Sequence, residues 1–207
     1  MPLLQQHSTS TQTWALWKIT EDVEELKALL DPSEDVPSAL SHPIKQCEFL
    51  ASKVLTQRLV KQFNQPYQGI YKDEFGKPYL VNSPLHLSQS HSYPYVAVIL
   101  DSVKNVGIDI EQRKETLYRV ANRVFSETEL KNVENDLTKL CILWCAKETL
   151  IKLYGKKDLH LKEELAIEEF KLAESGFLHG SISKKYHEKS YSLQYLVQED
   201  FVLVFNP

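Results

Sequence analysis

At 207 residues with 43% hydrophobic side chains, the chain has material for one large core or two small ones. Its 24 basic and 28 acidic side chains leave a net charge of −4, which argues against nucleic acid as the main partner, because such domains usually carry a basic excess. No apolar run approaches the roughly 18 residues of a membrane span, no basic segment followed by an apolar one marks a leader, and Cys47, Cys141 and Cys145 lack a disulfide-framework spacing. We therefore expect a reduced, cytoplasmic protein with no membrane partner.

In chain order, the first dozen residues, rich in Gln, His, Ser and Thr, read as the one disordered stretch. Residues 14–19 alternate enough for a strand. Residues 21–30 read as a short helix capped by Thr20, with Glu21, Asp22 and Glu24 at its positive end and Asp31-Pro32-Ser33 as its stop. A longer helix is predicted over 43–63, with Pro43 in its first turn. Residues 69–80 carry a hairpin signal around Asp73-Glu74-Phe75-Gly76-Lys77-Pro78. Residues 85–92, L-H-L-S-Q-S-H-S, are polar and unusual; 95–100 reads as a buried strand and 106–111 as its returning partner.

Beyond that point, 113–124 reads as a basic amphipathic helix. Ser126 caps the next one, with Glu129 completing a capping box. A long helix over 137–154 ends at Gly155. Cys141 and Cys145 lie one turn apart on it. With no matching second Cys/His pair, core packing is the better reading than zinc. Strands are predicted over 167–172, 177–182, 191–197 and 201–205. The whole is an α+β chain of two loosely similar halves, 1–105 and 106–207.

Two stretches stand out chemically. Gly107-Ile108-Asp109-Ile110-Glu111 puts two carboxylates at i and i+2, hence on one face of a strand. Trp144-Cys145-Ala146-Lys147-Glu148-Thr149-Leu150-Ile151-Lys152 puts Glu148 and Lys152 one helical turn apart. Three carboxylates with nearby lysines suit a hard cation whose shell is completed by phosphates. Each motif alone also reads as solvated surface charge.

In order and spacing, G-I-D-I-E, then Phe125-Ser126-Glu127-Thr128-Glu129, then W-C-A-K-E-T-L-I-K resembles the 4′-phosphopantetheinyl transferase superfamily. Gly76-Lys77-Pro78 and Leu87-Ser88-Gln89-Ser90 resemble its upstream segments. The two halves resemble its larger, surfactin-synthetase type, with the pseudo-twofold fold that this implies.

The resemblance implies transfer of the phosphopantetheine arm of coenzyme A to a serine of an apo acyl or peptidyl carrier protein, releasing adenosine 3′,5′-bisphosphate. It implies Mg²⁺, with Mn²⁺ as a substitute, on Asp109, Glu111 and Glu148. Glu148 or a metal-held water would be the base, and Lys152 the phosphate contact. Coenzyme A would be bound by Lys77, Ser88, Gln89, Ser90, His91, Lys53 and Lys147. Gln89 stands where the family usually has histidine; His91, two residues on, lies on the same strand face and is the alternative. Glu129 is read as a structural cap. Arg113, Lys114, Arg119 and Arg123 offer a basic surface to an acidic carrier. We expect a monomer, because the two halves supply each other's interface. The alternative is a degenerate member that binds coenzyme A or a carrier without catalysis.

Overall fold

The computed structural model describes residues 3–30 and 37–207. They form two compact units, dividing between Val106 and Gly107. The architecture is mixed α+β.

The first unit contains β1 (Leu3–Ser8), β2 (Gln12–Lys18), α1 (Val23–Ala28), α2 (Pro43–Gln62), β3 (Ile70–Lys72), β4 (Pro78–Leu80), β5 (His86–Ser92) and β6 (Tyr95–Asp101). An antiparallel sheet in the order β1-β2-β6-β5 packs on α2, and β3 and β4 form a small separate hairpin. Ala15 and Trp17 of β2, Val96, Val98 and Leu100 of β6, and Leu50, Val54, Leu55 and Leu59 of α2 fill the core. Pro43 occupies the first turn of α2, where its missing N–H costs nothing.

β1 overturns the predicted disorder of the first dozen residues. It is an edge strand with mostly exposed side chains, so it needs no apolar alternation; its order comes from backbone pairing with β2, Ser8 against Thr13 and Gln6 against Ala15. The cap of α1 is Asp22, in a capping box with Glu25, rather than Thr20. The predicted stop at Asp31-Pro32-Ser33 lies outside the described residues.

The second unit contains β7 (Ile108–Gln112), α3 (Thr116–Val124), α4 (Glu127–Val133), α5 (Leu137–Tyr154), β8 (Leu165–Ile167), β9 (Ser175–Lys184), β10 (His187–Val197) and β11 (Phe201–Phe205). Its antiparallel sheet runs β7-β11-β10-β9-β8. Leu140, Leu150 and Leu153 of α5 pack with Val202 and Val204 of β11 and Leu193 and Tyr195 of β10. The capping box of Ser126 and Glu129 opens α4, and Asp136 caps α5. Gly155 ends α5 at φ 81°, a left-handed turn that suits glycine.

Two predicted pairings change. β7 pairs with β11 rather than returning along β6, because β2 and β5 already take both edges of β6. The strand expected over 167–172 stops at Ile167. Past it, the Tyr195 hydroxyl donates to the Lys171 carbonyl at 3.1 Å and accepts from Ala173 N at 3.2 Å, replacing a ladder. No described helix is long and apolar enough to cross a membrane, and all three cysteines are free and buried.

Candidate active site

Alternate residues of β7 face opposite sides of the sheet. Its pairing with β11 sets Asp109 opposite Val204 and Glu111 opposite Val202, and both valines belong to the core beneath α5. Asp109 and Glu111 therefore point toward α5. That helix meets the strand with the stripe Cys141, Cys145, Glu148, Lys152, spaced four, three and four residues apart.

Cys141 Sγ lies 3.7 Å from the Glu111 carbonyl oxygen. At the other end, Lys152 Nζ donates to the Ile108 carbonyl at 2.7 Å and to Asp109 Oδ1 at 2.8 Å. Helix and strand thus run antiparallel, and Glu148 lies between these two anchor points. Cys141 and Cys145 are packing residues of the helix–strand seam; Cys145 Sγ reaches the Val202 carbonyl at 3.9 Å.

The electrostatics follow from this crowding. Burial, then the negative charge of Asp109, then that of Glu111, push the Glu148 carboxyl up to about 7 against the opposing pull of Lys152. Among the described residues, no three His, Cys, Asp or Glu side chains make a closed metal cage. The donor set still fits Mg²⁺. That ion typically takes one or two carboxylates and fills its shell with water and phosphate oxygens, and a cation here would relieve the repulsion that keeps a proton on Glu148.

A pH dependence follows. The folded protein holds the Glu148 proton more tightly than the unfolded chain, whose glutamate titrates near 4.5. The stability from this proton is complete below about pH 4.5 and is lost as pH rises through about 7. In chelator, raising the pH from 5 to 8 should cost the wild type up to about 3 kcal/mol more than Glu148→Gln. Parallel thermal unfolding profiles for the two proteins would refute it.

Gly107 brings β7 against α5. A Cβ there would lie 2.6 Å from the Thr149 carbonyl oxygen and 3.0 Å from Leu153 Cγ. The first is helix backbone and cannot swing away. Gly107→Ala should therefore push β7 from the helix turn carrying Glu148, costing about 1–3 kcal/mol and lowering turnover. A variant with unchanged melting temperature and kcat would show that the seam is slack. Asn206 ties the same residue down: its Oδ1 accepts from Gly107 N at 2.7 Å, and its own N–H donates to the Gly107 carbonyl at 3.2 Å.

Lys147, predicted among the coenzyme A ligands, is corrected by its surroundings. Its side chain is fully buried, and Nζ donates to Glu129 Oε2 at 2.9 Å and to the Val124 and Leu161 carbonyls at 2.9 and 2.8 Å. Three donors thus meet three acceptors inside the fold. Glu129 is structural, as its cap position suggests, and more connected than a cap requires. One oxygen also accepts from Ser126 N at 2.8 Å, and the other accepts from Ile167 N at 3.1 Å.

The remaining candidates lie in the first unit. Lys77 Nζ donates to Asn105 Oδ1 at 2.7 Å, and burial lowers its pKa. Lys53, on α2, sits 5.1 Å from the centre of the Phe49 ring. On β5, Gln89 and His91 both face α2. Gln89 Nε2 donates to Thr56 Oγ1 at 2.7 Å, and His91 Nδ1 is 3.4 Å from Glu48 Oε2. Ser88 and Ser90 alternate to the other face and are buried, so these four residues do not converge on one ligand atom. Sequence reasoning missed Glu48. Burial raises its pKa, but hydrogen bonds from His91 and Lys45 outweigh that and hold it at about 2.

Residues 105–205 match the family model described as the 4′-phosphopantetheinyl transferase superfamily. A 4′-phosphopantetheinyl transferase of Bacillus subtilis is 38% identical over 89 residues, 40% of this chain and 39% of that protein. The 4′-phosphopantetheinyl transferase gsp of Aneurinibacillus migulanus is 32% identical over 114 residues, 52% of this chain and 47% of its own. For 4′-phosphopantetheinyl transferase AcpT of Salmonella typhi the figures are 30% over 120 residues, 54% and 60%. The matches thus span 39 to 60% of the lengths of these curated relatives. The matched region holds β7 with Asp109 and Glu111 and α5 with Glu148 and Lys152, and over that region the chain is similar to the 4′-phosphopantetheinyl transferase superfamily.

Proposed function

We propose that this chain transfers the 4′-phosphopantetheine arm of coenzyme A to a serine hydroxyl of an apo acyl or peptidyl carrier protein, releasing adenosine 3′,5′-bisphosphate. The observation that carries the reading is the gathering of Asp109, Glu148 and Lys152 on one strand–helix seam, with the Glu148 carboxyl near 7. A cation on the seam would leave that carboxyl ionised, the form in which it can take a proton. As the serine oxygen bonds to the phosphorus carrying pantetheine, Glu148 takes its proton. The phosphorus–oxygen bond to the adenylyl phosphate breaks, and the electron pair leaves with adenosine 3′,5′-bisphosphate.

Asp109, Glu111 and Glu148 are the residues that would hold Mg²⁺, or Mn²⁺. When bound, that ion supplies charge neutralisation to the pyrophosphate. Lys152 offers its ammonium to the same phosphates. We assign Lys53, Lys77, Gln89 and His91 to the rest of coenzyme A and leave Ser88 and Ser90, on the opposite strand face, outside that set. Each unit carries an antiparallel sheet and one long helix, α2 or α5, which supports reading them as two similar half-domains.

The carrier would dock on α3. Arg119 and Arg123 are exposed one turn apart on it, beside exposed Lys114, whereas Arg113 is engaged with the Gln198 carbonyl at 2.9 Å. Arg119→Glu with Arg123→Glu should raise KM for an acidic carrier about tenfold or more and leave kcat within about twofold. An effect confined to kcat would remove α3 from the docking surface. The reaction itself is tested by chromatography: one adenosine 3′,5′-bisphosphate should appear per carrier modified, and release without a carrier would indicate hydrolysis instead.

A further inference from the structure

The motif order assigns Lys152 to the donor's phosphate, yet its ammonium holds Asp109 Oδ1 at 2.8 Å and the Ile108 carbonyl at 2.7 Å. The pair is largely sheltered, with side chains 25% and 9% exposed. Around it stand the Glu148 and Glu111 carboxylates, and Lys114 approaches Glu111 at 3.7 Å from a more exposed position. The Lys152 ammonium therefore occupies one of the two oxygens that Asp109 has to offer a divalent cation. Mg²⁺ sits about 2.0–2.1 Å from its ligand oxygens, so both cations on one carboxylate would repel strongly in a sheltered seam. A phosphate between them removes that conflict, and the four-carbon lysine stem is flexible enough to follow the phosphate.

We propose that Lys152 is an internal counter-ion of the cation site: its ammonium holds Asp109, a divalent cation must displace it, and the displaced ammonium turns to the donor's phosphate, so that cation and phosphate-bearing donor bind cooperatively. The proposal rests on reading Asp109, Glu111 and Glu148 as that cation site. It adds a competitor and an order of events: the cation alone binds weakly, the donor strengthens it, and by linkage the cation strengthens the donor by the same factor.

The test is a Mn²⁺ titration of the full chain, with free Mn²⁺ read by electron paramagnetic resonance, with and without coenzyme A. Lys152→Met keeps length and removes charge; Lys152→Gln is a second neutral variant, and circular dichroism confirms that each is folded. Without coenzyme A, the neutral variants should bind Mn²⁺ about tenfold more tightly than the wild type. Coenzyme A should strengthen Mn²⁺ binding markedly in the wild type and much less in the variants. If wild type binds Mn²⁺ and the folded variants bind it equally or more weakly, the counter-ion role is overturned and the cation site stands. If none binds Mn²⁺ even with coenzyme A, the cation site falls and the counter-ion with it.

Discussion

Glu148→Gln is expected to lower turnover by about a thousandfold or more while making the protein no less stable at pH 8. Glutamine keeps the volume and hydrogen-bonding reach of the side chain but neither accepts a proton at neutral pH nor carries a charge for a cation. Losing a general base alone typically costs about 10²–10⁴-fold, and losing a cation ligand adds to it. The stability effect has the opposite sign. Glu148 is sheltered and repelled by Asp109 and Glu111, which is why its carboxyl is held at about 7, so removing the charge relieves strain that grows with pH. A purely structural glutamate would show the reverse pattern, with activity following stability. Asp109→Asn separates the two further: it should also abolish turnover, but it breaks the 2.8 Å pair with Lys152 and should lower the melting temperature.

The second large effect is on folding. Lys147→Met should destabilise the protein by about 3–5 kcal/mol, read as a lower urea midpoint. The substitution leaves Glu129, itself buried, without the ammonium 2.9 Å away, and leaves the Val124 and Leu161 carbonyls without their donor. Those partners lie at the end of α3, in α4 and in the segment after α5, so the one side chain staples three parts of the unit to the helix that carries Glu148. Removing both charges in Lys147→Met with Glu129→Gln should recover part of the loss, because no buried charge is then uncompensated. If Lys147→Met unfolds at the wild-type urea concentration, the pair is an exposed one in solution and the network is wrong.

Much of this architecture is legible in local sequence because local rules fix it. Ser126 and Glu129 announce a capping box, Gly155 announces the end of α5, and Asp109 and Glu111 at i and i+2 share a strand face whatever the strand's partner. The partner itself is not local. Nothing in residues 106–111 says that both edges of β6 are filled, so sequence proximity favoured the wrong hairpin. β1 escaped because an edge strand ordered by backbone pairing needs no apolar alternation. Lys147 was misread as a ligand although a signal existed: it continues the stripe of Leu143, Leu150 and Tyr154, where a lysine must either snorkel or find buried acceptors. The Glu48–His91 contact joins α2 to β5 and is invisible until the two are packed.

Intact-mass spectrometry of an apo carrier protein incubated with this protein, coenzyme A and Mg²⁺ tests the proposed reaction most directly. The expected result is a gain of one phosphopantetheine per carrier, lost with a chelator and with Glu148→Gln. An unmodified carrier across fatty-acid, polyketide and peptide-synthesis types, from protein that still binds coenzyme A, would contradict it and leave a non-catalytic binder.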